Sequence, residues 1–326
     1  MNKYLVAAIL AIFLFAKPPG PPPKASISNG LITAQLYLPN AVNGYYRGTR
    51  FDWAGQIPDL RYKGHSYFGQ WFEKYDPMSH DAIMGPVEAF DPVGYDEAPA
   101  GGRFIKIGVG ALQKPQEEGY FFANSYSLVN TGTWKIYKQP TWVTFMHTLK
   151  EGDYGYVYSK KVRLANNKPE LILEHTLKNT GSKSIETNVM NHNFFVIDSL
   201  TTGSDFTVRF PFELQAQPAK EQSAAQVKGK EIHLEAGDPH KKNFFLEDIK
   251  GYTSDARDYH ITVNHQPSGT GVTILSNRPF EKLNFWASVK TICPEPYIHI
   301  KINPGQTFEW SNTYRFSAIE KLKIKN

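Results

Sequence analysis

Two short stretches of the chain carry side chains able to move protons. Asn191-His192-Asn193-Phe194-Phe195 closes a run of strand-like alternation and sets His192 on the face it shares with Met190 and Phe194. Ile292-Cys293-Pro294-Glu295-Pro296-Tyr297 holds Glu295 between two prolines, on the face opposite Ile298, Ile300 and Ile302. Proline has no N–H to give a sheet ladder and a nearly fixed φ, so this carboxylate sits on a restricted path, which is useful if it must be aimed. Imidazole and carboxylate together suit general acid–base work, because a neighbouring carboxylate favours imidazolium and histidine already titrates near neutrality. Each residue also has an ordinary structural reading: a packed histidine at the rim of a core, and a solvated glutamate.

Other candidates are weaker. Gly108-Val109-Gly110 lies in β-patterned sequence with no helix after it, so it is not a nucleotide fingerprint. His80-Asp81, His233, His260 and His265 lack zinc-like spacing, and neither a metal nor any other cofactor is expected. His147 and His175 fall within strand alternations and read as structural. Ser127 and Ser159 lack the context of a nucleophile elbow, so no hydrolase triad is assembled.

The elements that must position His192 and Glu295 are strands. From Leu31 to Phe316 the chain is a succession of short runs with period-two alternation, broken by Gly, Pro and Asn clusters. Tyr154, Tyr156 and Tyr158 alternate with small or apolar residues, and the turn Asn166-Asn167-Lys168-Pro169 leads into Leu171, Leu173, His175 and Leu177 on one face. A loop over Gln215 to Gln226 and a small hairpin turning at Lys228-Gly229-Lys230 follow. Strands are predicted at Tyr259 to Asn264, Gly271 to Leu275, Leu283 to Val289, Tyr297 to Ile302 and Thr307 to Phe316. No helical repeat or composition break divides the chain, so the expected fold is all-β, one large antiparallel β-sandwich over residues 25–326. Wide sheets present a concave face, a natural place for a ligand.

Composition narrows the partners. The chain has 326 residues and a formal charge of +5, but Lys3, Lys17 and Lys24 sit in an N-terminal stretch without acids. Beyond it the balance is 33 basic residues against 31 acidic, which is no footprint for nucleic acid. Met-Asn-Lys, the apolar run Tyr4 to Ala16 and the proline-rich Lys17 to Lys24 read as an export signal and spacer over residues 1–24, with the folded part beginning near Ser26. The run is short of the roughly 20 residues a membrane-spanning helix needs, so a periplasmic or extracellular protein with no stable membrane span after processing is expected; the large Leu14 two positions before Ala16 leaves an uncleaved N-terminal anchor as the alternative. The single cysteine, Cys293, excludes an internal disulfide and needs burial to stay inert. The 14% aromatic share suits both β-structure and a sugar-binding cleft.

The run Asn166 to Thr180 followed by Asn191-His192-Asn193-Phe194-Phe195 resembles the central region of galactose mutarotase-like proteins, the aldose 1-epimerase superfamily. Cys293-Pro294-Glu295-Pro296, with Asn303-Pro304-Gly305-Gln306 and Tyr314-Arg315-Phe316 after it, resembles the C-terminal segment of the same superfamily, especially its hexose-phosphate branch. The resemblance spans residues 29 to 318 and implies a supersandwich fold, His192 as the acid and Glu295 as the base. The family's further upstream histidine falls where this chain has Met84, within Ile83-Met84-Gly85-Pro86-Val87-Glu88-Ala89-Phe90, so His80 or Glu88 is the expected substitute. Arg50, with Arg47 nearly as good, is expected to contact sugar or phosphate, Asn191 to bind substrate, and Trp286 with Phe285 to offer the ring an apolar face. The implied activity is interconversion of sugar anomers by a monomer acting on a small sugar or oligosaccharide. A carbohydrate-binding protein without catalysis, a polysaccharide lyase or glycoside-processing enzyme, and a structural envelope component are the alternatives on the same scaffold.

Overall fold

The computed structural model describes residues 20–216, 225–234 and 243–319. The export-signal run Tyr4 to Ala16 and most of the loop expected over Gln215 to Gln226 lie outside the described residues. Among those described, strands dominate, and Ala256–Asp258 is the only helical turn. No helix among them is long and apolar enough to cross a membrane.

Two antiparallel sheets form the sandwich. The larger has ten strands, running from the small hairpin Ala225–Lys228 and Glu231–Leu234 at one edge to Thr133–Gln139 at the other. The smaller has five, in the order Asn243–Leu246, Lys282–Ser288, Thr291–Ile302, Ile185–Phe194 and Gly85–Phe90. Period-two alternation explains the packing: Val143, Tyr158, Leu173 and Ile274 from the larger sheet meet Val189, Ile298, Ile300 and Phe285 from the smaller in one apolar cluster. The outer face of the five-stranded sheet carries a second cluster with Met190, Phe194, Val87 and Cys293, roofed by loops and a three-stranded sheet, Arg103–Lys106, Gly110–Gln113 and Ser127–Asn130.

The strands predicted from Tyr259 onward are present with small boundary shifts. The exception is Thr291–Ile302, which begins six residues before the expected Tyr297 because it continues through both prolines, paired on one side with Lys282–Ser288. The first strand, Lys24–Ser28, starts two residues before Ser26.

The sandwich interior is not wholly apolar. Lys160 is completely buried, donates to Ala54 O at 3.0 Å and is ion-paired with Glu88, itself only 1% exposed. His175 Nε2 lies 3.3 Å from the other Glu88 oxygen, and the Tyr158 hydroxyl is 3.0 Å from Asp52 Oδ2 and 3.1 Å from His175 Nδ1. Burial pushes the Asp52 carboxyl up to about 7 and outweighs the opposing charge of Lys160. Burial likewise holds the Glu88 carboxyl above its usual value and keeps His175 well below its own.

Removing the cation strands a buried carboxylate, so Lys160→Met is expected to cost about 3–5 kcal/mol in urea unfolding, and Glu88→Gln in the same chain should restore much of it. A loss no larger than that of a surface substitution would refute the buried pair. Asp52 binds a proton in the native state that the unfolded chain has already released, so its contribution to stability falls as pH rises from about 4 to about 7. Asp52→Asn should therefore gain stability relative to the wild type across that window, measured as the difference between their unfolding curves at each pH.

Candidate active site

His192 and Glu295 stand on neighbouring strands of the five-stranded sheet, and the register explains why they meet. Met190 pairs with Tyr297 on one side of them, and Phe195 bridges to Ile292 on the other. Counting inward from either end puts His192 opposite Glu295. Ile292 and Phe195 exchange both backbone hydrogen bonds at 3.1 Å, so every second residue of the glutamate strand from Ile292 turns its N–H toward the histidine strand. Two of those positions are Pro294 and Pro296, which have none to offer. The ladder therefore opens, and the side chain of Asn193 spans it, donating to Pro294 O at 3.0 Å and to Asn191 O at 2.9 Å. His192 and Glu295 form a non-hydrogen-bonded pair, the kind that brings opposed side chains closest. His192 Nε2 lies 3.1 Å from Glu295 Oε1, with both residues buried. His192 Nδ1 has no hydrogen-bond partner.

The pair sits on the floor of a cleft of about 660 Å³. Alternation on the adjoining strand adds Lys282, Asn284 and Trp286, which oppose Tyr297, Glu295 and Cys293. The His192 ring is stacked on Phe194 at 3.9 Å and meets Phe51 edge-on at 5.6 Å and Trp286 at 6.1 Å. Loops supply the walls. Arg50 is ion-paired with Asp81 and lies over the rings of Phe51 and Phe122, at 4.6 and 4.2 Å. His80 Nε2 holds the other Asp81 oxygen at 3.0 Å. Burial works to raise the Asp81 carboxyl, but the His80 hydrogen bond and the charges of Arg50, His80 and His192 prevail and hold it below its usual value.

Of the residues singled out in the sequence, His192, Glu295, Arg50, His80 and Trp286 converge on this cleft. Asn191 and Glu88 do not. They oppose each other across paired strands one position away from His192 and Val87, so the pleat turns both into the sandwich interior. Asn191 there accepts from Tyr314 at 2.8 Å, and Glu88 is committed to Lys160. Phe285 points inward for the same reason, Arg47 lines a separate cavity beside Trp53, and Met84 is packed in the outer apolar cluster. Cys293 is buried and its thiol is pushed well up by that burial. Asp81, Asn284 and Lys106 were not assigned from the sequence. Asn284 stands two residues before Trp286 and shares its face by alternation alone. Lys106 interrupts the apolar run Phe104-Ile105-Lys106-Ile107, which marks a charge that must find a buried role. No group of three or more metal-ligating side chains comes together among the described residues.

Asn193 also offers the Tyr314 hydroxyl an acceptor at 2.8 Å, alongside Asn191, so Asn193→Ala unpairs Pro294 O and Asn191 O on two strands and removes one of the two acceptors of Tyr314. It is expected to lower unfolding stability by about 1–3 kcal/mol, read from denaturant midpoints. An unchanged midpoint would mean that the side chain does not hold the opened ladder.

No protein-family model and no curated protein sequence matches the chain. Solved structures do. A galactose mutarotase related enzyme from Lactobacillus acidophilus superposes with a TM-score of 0.58 at 12% identity, covering 92% of this chain and 100% of its own. A galactose mutarotase-like protein from Lactobacillus casei gives 0.55 at 12%, covering 90% and 100%. An aldose epimerase homologue from C. elegans gives 0.55 at 13%, covering 91% and 99%. Coverage of 90–92% of this chain and 99–100% of theirs shows that this chain has the galactose mutarotase-like fold.

Proposed function

We propose that the cleft binds a sugar and interconverts its anomers. The observation that carries this reading is the 3.1 Å approach of a buried imidazole and a buried carboxylate on the floor of an aromatic-walled cleft. Ring opening requires the proton of the C1 hydroxyl to leave while the ring oxygen gains one. Those two oxygens share one carbon, so an acid and a base in contact with each other can serve both. Glu295 takes the hydroxyl proton, and His192 as imidazolium protonates the ring oxygen. Rotation about C1–C2 and reclosure with the roles reversed give the other anomer. The reaction conserves atoms and oxidation state. Arg50, Asp81 and Asn284 are placed to hold ring hydroxyls, and Trp286 offers an apolar surface to the ring face.

A binding-only role draws support from Met84, which packs among apolar side chains where the resemblance places a histidine. Polarimetry separates the two readings. The protein should accelerate equilibration of at least one fresh aldose anomer, and Glu295→Gln and His192→Gln should each lower that rate by about 10²–10⁴-fold, with thermal melting little changed. Sugar binding by calorimetry with a wild-type trace that follows buffer for every aldose would overturn the isomerase reading.

A further inference from the structure

The ionic groups lining the cleft are nearly all matched in pairs. Arg50 faces Asp81, Lys282 Nζ is 3.3 Å from Glu247, and His192 meets Glu295. Asp91 is exposed and takes the Asn188 amide at 3.0 Å. Lys106 is the exception among the described cations of the cleft. It is 3% exposed and lines the cleft, and its ammonium donates to Phe90 O and lies 5.3 Å over the Tyr120 ring. Among the described residues no carboxylate forms an ion pair with it. An ammonium has three donors, and a buried charge is costly unless it is paired. Beside it the Tyr120 hydroxyl is buried and has no hydrogen-bond partner among the described residues. Burial has pushed Lys106 down to about 7, with Asp91 pulling it up and Arg50 pressing it further down.

We propose that Lys106 and Tyr120 form a subsite for a single carboxylate on the substrate, which makes the substrate a sugar acid. This rests on the reading of the cleft as a sugar site. The placement suits a ring held at both ends. Phe90, whose carbonyl anchors Lys106, is three residues along its strand from Val87, the residue paired with His192. Three residues of strand span about 10 Å, and the step across to the histidine strand adds about 5 Å at right angles, so the two backbone positions lie about 11 Å apart. A pyranose with C1 at the acid–base pair and a carboxylate on its far carbon fills that distance, with a hydrogen-bond length at each end. Gly108, with φ of +75°, turns the chain directly after this strand, and a Cβ there would lie 2.4 Å from Asp52 Oδ1. The turn between Arg103–Lys106 and Gly110–Gln113 thus keeps Lys106 at the cleft wall. A monoanion matches Lys106, which forms no ion pair among the described residues, whereas a phosphate dianion would bring a second negative charge toward Asp91.

Calorimetry on the full chain with glucuronate, galacturonate, glucose and glucose 6-phosphate tests the assignment, with polarimetry on the same sugars in parallel. A uronate should bind about ten- to a hundredfold more tightly than glucose, the range for hydrogen bonds to a charged group. Lys106→Met should bring that ratio close to one. Tyr120→Phe, which keeps the ring and loses only the hydroxyl, should reduce it a few-fold and decides the matter if the lysine variant fails to fold. Equal binding of uronate and glucose by the wild type, or tighter binding of the phosphate, would overturn the carboxylate subsite. Uronate preference without faster mutarotation upholds the subsite and overturns the isomerase reading. Binding of none of the four overturns both.

Discussion

An antiparallel strand inside a sheet owes hydrogen bonds to two neighbours, and Thr291–Ile302 meets that debt without a break on one side and with a gap on the other. Toward Lys282–Ser288 its ladder is continuous; toward Ile185–Phe194 it is broken where Pro294 and Pro296 have no N–H to donate. The acceptors left on the histidine strand are served locally, Asn191 O by the Asn193 amide and Asn193 O by the Phe195 N–H at 3.1 Å. The register survives the gap because it is pinned on both flanks. His192 and Glu295 are thus held face to face by backbone that is anchored on either side of them but not ladder-bonded between them. Burial and stacking on Phe194 restrict the imidazole further, so on the proposed reading little ordering remains to be done when a sugar arrives.

The same pleat that aims His192 outward forces Asn191 and Asn193 inward, into the space between the sheets. Polar groups cannot be left there unpaired, and the larger sheet answers them. Tyr314 donates toward both asparagines, and Asn312 holds the neighbouring Tyr259 hydroxyl at 2.9 Å. One strand further out, Glu88 sits opposite Asn191 and is met by Lys160 and His175. The polar interior therefore follows from placing an Asn-His-Asn run in a central strand. It also ties the acid–base strand to the opposite sheet through hydrogen bonds in addition to apolar contact, which fixes the separation of the two sheets at the level of the site.

Alternation and punctuation made the strands legible from the sequence, and with them the all-β class, because most turns carry a Gly, Asn or Pro; the turn Val289-Lys290 carries none, and the start of Thr291–Ile302 was missed there. His192 and Glu295 were legible too, the one from its motif and the other from its flanking prolines. Asn191 and Phe285 were misplaced by one step: residues next to a site residue along a strand point away from the site, whatever their chemistry; Glu88, chosen as a substitute for the upstream histidine, falls on the inward parity of its own strand. Asn191 was read as part of a motif, when its parity placed it with Val189 and the core. Lys106 and Asp81 escaped because their roles depend on the three-stranded sheet and the loops closing over the cleft, and long-range loop placement leaves no local periodicity to read.

The division between floor and wall bears on how such a site changes. The floor is sheet: its side chains are fixed by register, and a one-residue slip would turn all of them into the core together. The walls are loops, joined to the floor by contacts that do not depend on the ladder, such as the Phe51–Arg50–Phe122 stack and the Arg50–Asp81 pair. Substitutions in the walls can alter what fills the cleft while leaving the acid–base pair in place. Substitutions in the floor reach the interior network behind it, because each outward residue is bracketed by two inward ones. Specificity is therefore the freer variable and proton chemistry the more constrained one. Lys106, which forms no ion pair among the described residues, lies where the two meet: it sits at the end of a short strand, beside a turn that only a residue tolerating positive φ can make, and above a floor on which His192 and Glu295 are already paired.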